Sequence, residues 1–125
     1  MTAPDLITVG LSEKADEKLE ELRELEVFAD KIDGYRFAIS LAIAQGVIPP
    51  EIEKRKTLFN VGSLDPDQTL RRAVEALMSN QLENATPYRL IERLAEWGVN
   101  ELHAEAKGGG IDFIRLFDQV AAQAT

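Results

Sequence analysis

The chain contains no cysteine, which removes disulfides, thiol nucleophiles and thiolate metal sites. It has one histidine and one tryptophan, and aromatic residues make up only 6% of it. No apolar run approaches the roughly 20 residues needed to cross a bilayer. The first residues lack the basic segment and apolar core of a secretory leader. Positive charge is scarce: 14 Lys and Arg stand against 22 Asp and Glu, for a formal charge of −8. A dedicated nucleic-acid binder usually carries the opposite sign. These deficits suit a cytoplasmic protein that makes no contact with a membrane.

What remains is sufficient for a packed core. The chain has 125 residues, of which 45% are hydrophobic; one domain is expected, and disorder is not. The charge is uneven. Residues 1–30 hold three basic and nine acidic side chains, residues 31–80 seven and six, and residues 81–125 four and seven. Attraction to phosphate would have to come from a local patch in the middle stretch.

The run Leu6-Ile7-Thr8-Val9-Gly10-Leu11 predicts a short strand, with Ile7, Val9 and Leu11 on one face and Leu6, Thr8 and Gly10 on the other. Ser12 is a good N-cap, and Glu13 and Asp16 suit the first turn of a helix running to about Val27. Its apolar stripe is narrow: Ala15, Leu19, Leu22 and the Leu25-Glu26 step. A second helix, over Lys31–Gln45 and started by Asp30 or Asp33, is apolar nearly all round through Ile32, Tyr35, Phe37, Ala38, Ile39, Leu41, Ala42 and Ile43. Such a helix belongs in the interior. Gly46 stops it, and Pro49-Pro50 forbids its resumption. One strand and two helices over residues 1–47 is the layout of a ribbon-helix-helix half. A half of that kind cannot bury its own strand and helix faces, so a second copy of the chain is expected to cover them.

Residues 48–106 read as a helical extension. Glu51–Lys56 has room for a helical turn, and Thr57–Gly62 reads as extended or irregular. Asp65-Pro66-Asp67-Gln68 offers Asp at the N-cap, Pro at N1 and Gln at N3 of a third helix that faces the core through Leu70, Val74, Leu77 and Met78. Ser79–Ala85 reads as a loop. Thr86-Pro87 repeats the cap signal for a fourth helix with Ile91, Leu94, Ala95, Gly98 and Leu102 on one face. There Gly98 either ends the helix early or lets another helix approach closely. Residues 107–110 form a glycine hinge before an amphipathic final helix over 111–125. The expected fold is therefore mainly α, a single domain with a short N-terminal strand followed by about five helices, oligomeric through its ribbon-helix-helix-like start.

Little of the sequence points to chemistry. His103, with Glu101 and Glu105 two residues away, has no partner at metal-ligand spacing and reads as a surface side chain. The glycines after Lys107 lack the order of a phosphate loop. Glu17, Glu20, Glu21 and Glu24 alternate with Lys14, Lys18 and Arg23 and read as a solubilising face. No catalytic residue, metal or cofactor is expected, and the chain is read as a non-enzyme. Lys54, Arg55 and Lys56 form the one basic cluster, and Arg71-Arg72 a second pair. They are the candidate nucleic-acid-binding residues if the connector folds back on the third helix. The alternative is that they pair with Glu51, Glu53, Asp65 and Asp67. Neither face of the strand carries Arg, Lys, Asn or Gln, so base readout by it is not expected.

The segments Gly10-Leu11-Ser12-Glu13-Lys14-Ala15-Asp16-Glu17-Lys18-Leu19 and Tyr35-Arg36-Phe37-Ala38-Ile39-Ser40-Leu41-Ala42 resemble the start of DndE-like proteins, small helical subunits of bacterial DNA phosphorothioation systems. Thr57-Leu58-Phe59, Asp65-Pro66 and the helix from Tyr88 to Leu102 are similar to later features of that family. The resemblance implies a non-catalytic oligomeric subunit of a DNA sulfur-modification or defence system. Its partners would be further copies of itself, other modification subunits and DNA, the last through Lys54, Arg55, Lys56, Arg71 and Arg72. The acidic first helix departs from that pattern. The competing expectation is a protein-interaction module, antitoxin-like or scaffolding, indifferent to nucleic acid.

Overall fold

The structure, a computed structural model, describes residues 4–108. Part of the glycine hinge and the whole of the final helix expected over 111–125 lie outside the described residues. The fold is mainly helical, in the order β1 (Thr8–Leu11), α1 (Glu13–Glu24), α2 (Lys31–Gln45), β2 (Lys56–Asn60), α3 (Val61–Leu64), α4 (Thr69–Leu77), a 3-10 turn (Ser79–Glu83) and α5 (Pro87–Lys107). No helix among the described residues is long and apolar enough to cross a membrane.

The strand-helix-helix start is present, but β1 finds its partner within the chain. It pairs antiparallel with β2, and the register slips between Val9 and Gly10 so that Leu58 is left over as a bulge. No helical turn forms over residues 51–55, and β2 begins at Lys56. Val9 and Leu11 of β1 are fully buried, whereas Ile7 is 83% exposed and does not share their face. Tyr35, Ala38, Ile39, Leu41 and Ala42 of α2 are buried as well. The cover comes from α5, which packs most extensively on α2 and also on α1, α4 and β1. The faces of the strand and of α2 that a second copy is expected to cover are reached instead by α5 of the same chain.

Helix α5 stays regular through Gly98 because that residue is a point of contact. A Cβ there would lie 2.2 Å from the Ala38 carbonyl oxygen, so α2 and α5 cross backbone to backbone. Helix α1 stops at Glu24, short of Val27. Glu26 takes a left-handed conformation (φ 61°), and the Glu26 and Val27 amides donate to the Arg23 and Leu22 carbonyls. This is the Schellman ending that Gly46 (φ 63°) supplies for α2, with the Gly46 and Val47 amides on Ile43 and Ala42. Helix α4 begins at Thr69, later than the Asp65-Pro66 signal implied. Its cap is nonetheless Asp65, whose carboxylate accepts from the Leu70 and Arg71 amides at 2.9 and 3.0 Å.

Candidate functional site

On α5, Tyr88, Glu92, Glu96, Asn100 and His103 recur every three or four residues and so share one face. Each engages the N-terminal segment, in chain order. The Asp5 carboxylate accepts from the Tyr88 amide at 3.0 Å. The Gly10 amide donates to Glu92 Oε2 at 2.9 Å. The Ser12 amide and hydroxyl donate to Glu96 at 2.9 and 2.6 Å. Lys18 Nζ donates to Asn100 Oδ1 at 2.9 Å, and His103 Nε2 lies 2.8 Å from Glu21 Oε2. This polar seam fastens residues 5–21 along α5, and it closes the edge of β1 that β2 leaves open. Tyr35 completes the closure from α2 by donating its hydroxyl to the Gly10 carbonyl at 3.0 Å.

Gly10 sits at the centre of this arrangement. A Cβ on it would lie 1.8 Å from the Lys56 carbonyl oxygen, so the bulged pairing needs glycine there. Beside it Glu92 is only 6% exposed. Burial pushes its carboxyl above the usual range, against the pull of the Gly10 amide and of Arg55, Arg89 and Arg93. Burial, reinforced by the charge of Glu92, also raises the Tyr35 hydroxyl well above its ordinary value. Asp16 behaves oppositely. Burial opposes its ionisation, but Lys31 and Lys56 outweigh burial and hold the carboxyl below its usual value; their ammonium groups lie 2.5 and 3.0 Å from its two oxygens.

The five candidate cations divide between several surroundings. Lys54 is exposed just ahead of β2. Arg55 reaches Glu92 at 3.5 Å, and Lys56 reaches Asp16 at 3.0 Å. Arg71 pairs with Glu75 on its own helix at 3.4 Å, and Arg72 is exposed. Among the described residues no hydrogen bond or ion pair links the first cluster to the second, and Lys54 and Arg72 form no ion pair. The carboxylates that neutralise Arg55 and Lys56 are remote in sequence. The neighbours Glu51, Glu53, Asp65 and Asp67, named from proximity along the chain, do not pair with them. Glu51 lies 3.5 Å from Arg93 instead.

His103 is corrected from surface to interior: it is 6% exposed and seated on Glu21. Its hydrogen bond holds the Glu21 carboxyl below the usual range. The sequence signal for burial was available, since His103 lies next to Leu102 and one turn beyond Val99, on the side where α5 meets α1. The acidic face of α1 borders an open groove of about 590 Å³ lined by Asp16, Glu17, Glu20, Glu21, Glu24 and Lys31. Among the described residues no group of three or more His, Asp or Glu side chains is placed to hold a metal ion.

Sequence reasoning missed the role of Glu92 and Glu96. They fall in a helix whose apolar face is easy to read, and nothing nearby in the chain marks them as ligands of a strand some eighty residues away. No protein-family model, no curated protein and no solved structure matches the chain.

Proposed function

We propose that the chain is a non-catalytic, cytoplasmic protein-interaction subunit. The observation that carries this reading is the fate of its cations. Arg55, Lys56 and Arg71 are each committed to a carboxylate of the chain itself, on a molecule of formal charge −8. A phosphate backbone would have to compete with those carboxylates, and long-range attraction to it is missing. The buried polar side chains that catalysis could use, Glu92, Tyr35 and Asp16, are engaged in holding β1 and β2 in place. In this reading the exposed acidic face of α1 is available to a partner protein.

The experiment pairs two measurements on the intact chain. Capture of the tagged protein from its own cells, after nuclease treatment, yields a stoichiometric protein complex. A gel-shift titration with duplex DNA at low salt gives no retardation. Retardation that disappears in a Lys54→Glu, Arg72→Glu double variant overturns the proposal.

A second reading, a subunit of a DNA phosphorothioation or defence system contacting DNA, draws on the DndE-like resemblance and on the exposed Lys54 and Arg72, which form no ion pair among the described residues. It predicts the opposite gel-shift result and other modification subunits in the captured complex. Self-association is compatible with either reading, and sedimentation at high dilution measures it.

A further inference from the structure

We propose that Glu92 is a proton-operated clasp on Arg55: ionised, its carboxylate pins the guanidinium against α5; protonated, it keeps its hold on β1 and lets the guanidinium go. The two functions share one oxygen. Glu92 Oε2 lies 2.9 Å from the Gly10 amide and 3.5 Å from Arg55 Nε. The amide needs only an acceptor, which a neutral carboxyl still offers through its carbonyl oxygen. The guanidinium is held by charge, and a neutral carboxyl removes that attraction.

Among the described residues nothing else bonded to Arg55 replaces the lost charge. Its remaining contacts are to neutral oxygens: the Thr8 carbonyl and hydroxyl, both at 3.4 Å, and the Thr57 hydroxyl at 3.3 Å. All three are long and exposed, so water competes with them readily. Among the described residues, the other charged or titratable groups that act on Glu92 are Arg89 and Arg93 on its own helix and Tyr35 from α2. Arg93 is drawn toward Glu51 at 3.5 Å. Glu96, one turn along, is occupied by Ser12.

The neighbouring cation is fastened by a carboxylate of opposite disposition. Burial moves the titration of Glu92 upward, whereas Lys31 and Lys56 move that of Asp16 downward. On acidification Glu92 therefore takes up its proton before Asp16 does. Arg55 is freed beside Lys54 while Lys56 is still held. The surface at the start of β2 gains one mobile cation without unfolding. This does not depend on what the chain binds.

The test is an NMR titration of the whole chain from neutral to acid pH, following the Glu92 carboxyl carbon and the Arg55 Nε resonance. The expected result is that Arg55 Nε moves to the position of free arginine with the midpoint of Glu92, and that this midpoint lies above that of an ordinary glutamate. In Glu92→Gln, Arg55 Nε sits at the free position at every pH. In Arg55→Gln, a surface change that serves even if Glu92→Gln fails to fold, the Glu92 midpoint rises further. An Arg55 resonance indifferent to the titration of Glu92, or a Glu92 midpoint unmoved by Arg55→Gln, overturns the proposal.

Discussion

Single residues decide where backbones touch. The Cβ-free surface of Gly98 is filled by the Ala38 carbonyl. Alanine is the better helix former by about 1 kcal/mol, and on an isolated helix Gly98→Ala would stabilise. Here the added methyl meets backbone, which cannot rotate away, and overpacking of this kind costs about 1–3 kcal/mol or more. The expected outcome is a net loss of stability in urea denaturation; a neutral or stabilised variant would falsify the close crossing of α2 and α5. Glu26 predicts the reverse sign. Its left-handed conformation (φ 61°) costs a non-glycine residue about 1–2 kcal/mol. Glu26→Gly recovers part of that, less the extra freedom glycine brings to the unfolded chain. A gain of about 0.5–1 kcal/mol is expected, read as a higher denaturation midpoint at unchanged slope.

Elements are held at their ends by capping side chains, and not always by those that the local sequence nominates. Thr86 occupies the N-cap position of α5 with extended backbone angles but makes no capping bond, and its hydroxyl is buried with no partner among the described residues. Asp5 supplies the cap from the other end of the chain. Asp5→Ala is therefore expected to cost about 0.5–2 kcal/mol, the usual worth of a cap, while Thr86→Ala is close to neutral. Thermal unfolding of the two variants side by side separates the readings: equal losses, or a larger loss for Thr86→Ala, would return the cap to the threonine. Asp65 is the stronger case, because it caps α4 and also accepts the Tyr88 hydroxyl at 2.9 Å. Burial and that hydrogen bond push the Tyr88 hydroxyl up to about 12. Asp65→Ala loosens α4 and α5 together, and a Tyr88 titration shifted back toward the ordinary tyrosine value reports the lost contact.

For the molecule as a whole, acid acts in opposite senses on two buried carboxylates, Asp16 and Glu92. Asp16 has a depressed value in the fold, so its contribution to stability is present above its ordinary value of 3.8 and is lost as pH falls through the lower folded value. Glu92 has a raised value, so its contribution is full at and below its ordinary value of 4.5 and is lost as pH climbs through the higher folded value. Glu92→Gln removes the second dependence only. Its stability relative to the wild type is expected to improve as pH rises from acid to neutral, measured by urea denaturation at a series of pH values. A difference that stays flat across that range contradicts the burial of this carboxyl.

The periodicity and punctuation of the chain determined a great deal alone: the strand at Thr8–Leu11, the helices α1, α2 and α5, the stop at Gly46, and the mainly helical class. Those features depend on residues within a few positions of one another, where spacing translates directly into a buried face or a cap. The tertiary structure decided what spacing cannot encode. It brought β2 to β1 across some fifty residues and α5 to the N-terminal segment across some eighty. It buried His103, turned Gly98 into a helix contact, and matched Arg55 and Lys56 to Glu92 and Asp16 in place of the acids beside them in sequence. The reason is physical: a buried charge or an open strand edge must be satisfied by whatever group the packed chain brings within hydrogen-bonding distance, and distance along the sequence does not enter that condition.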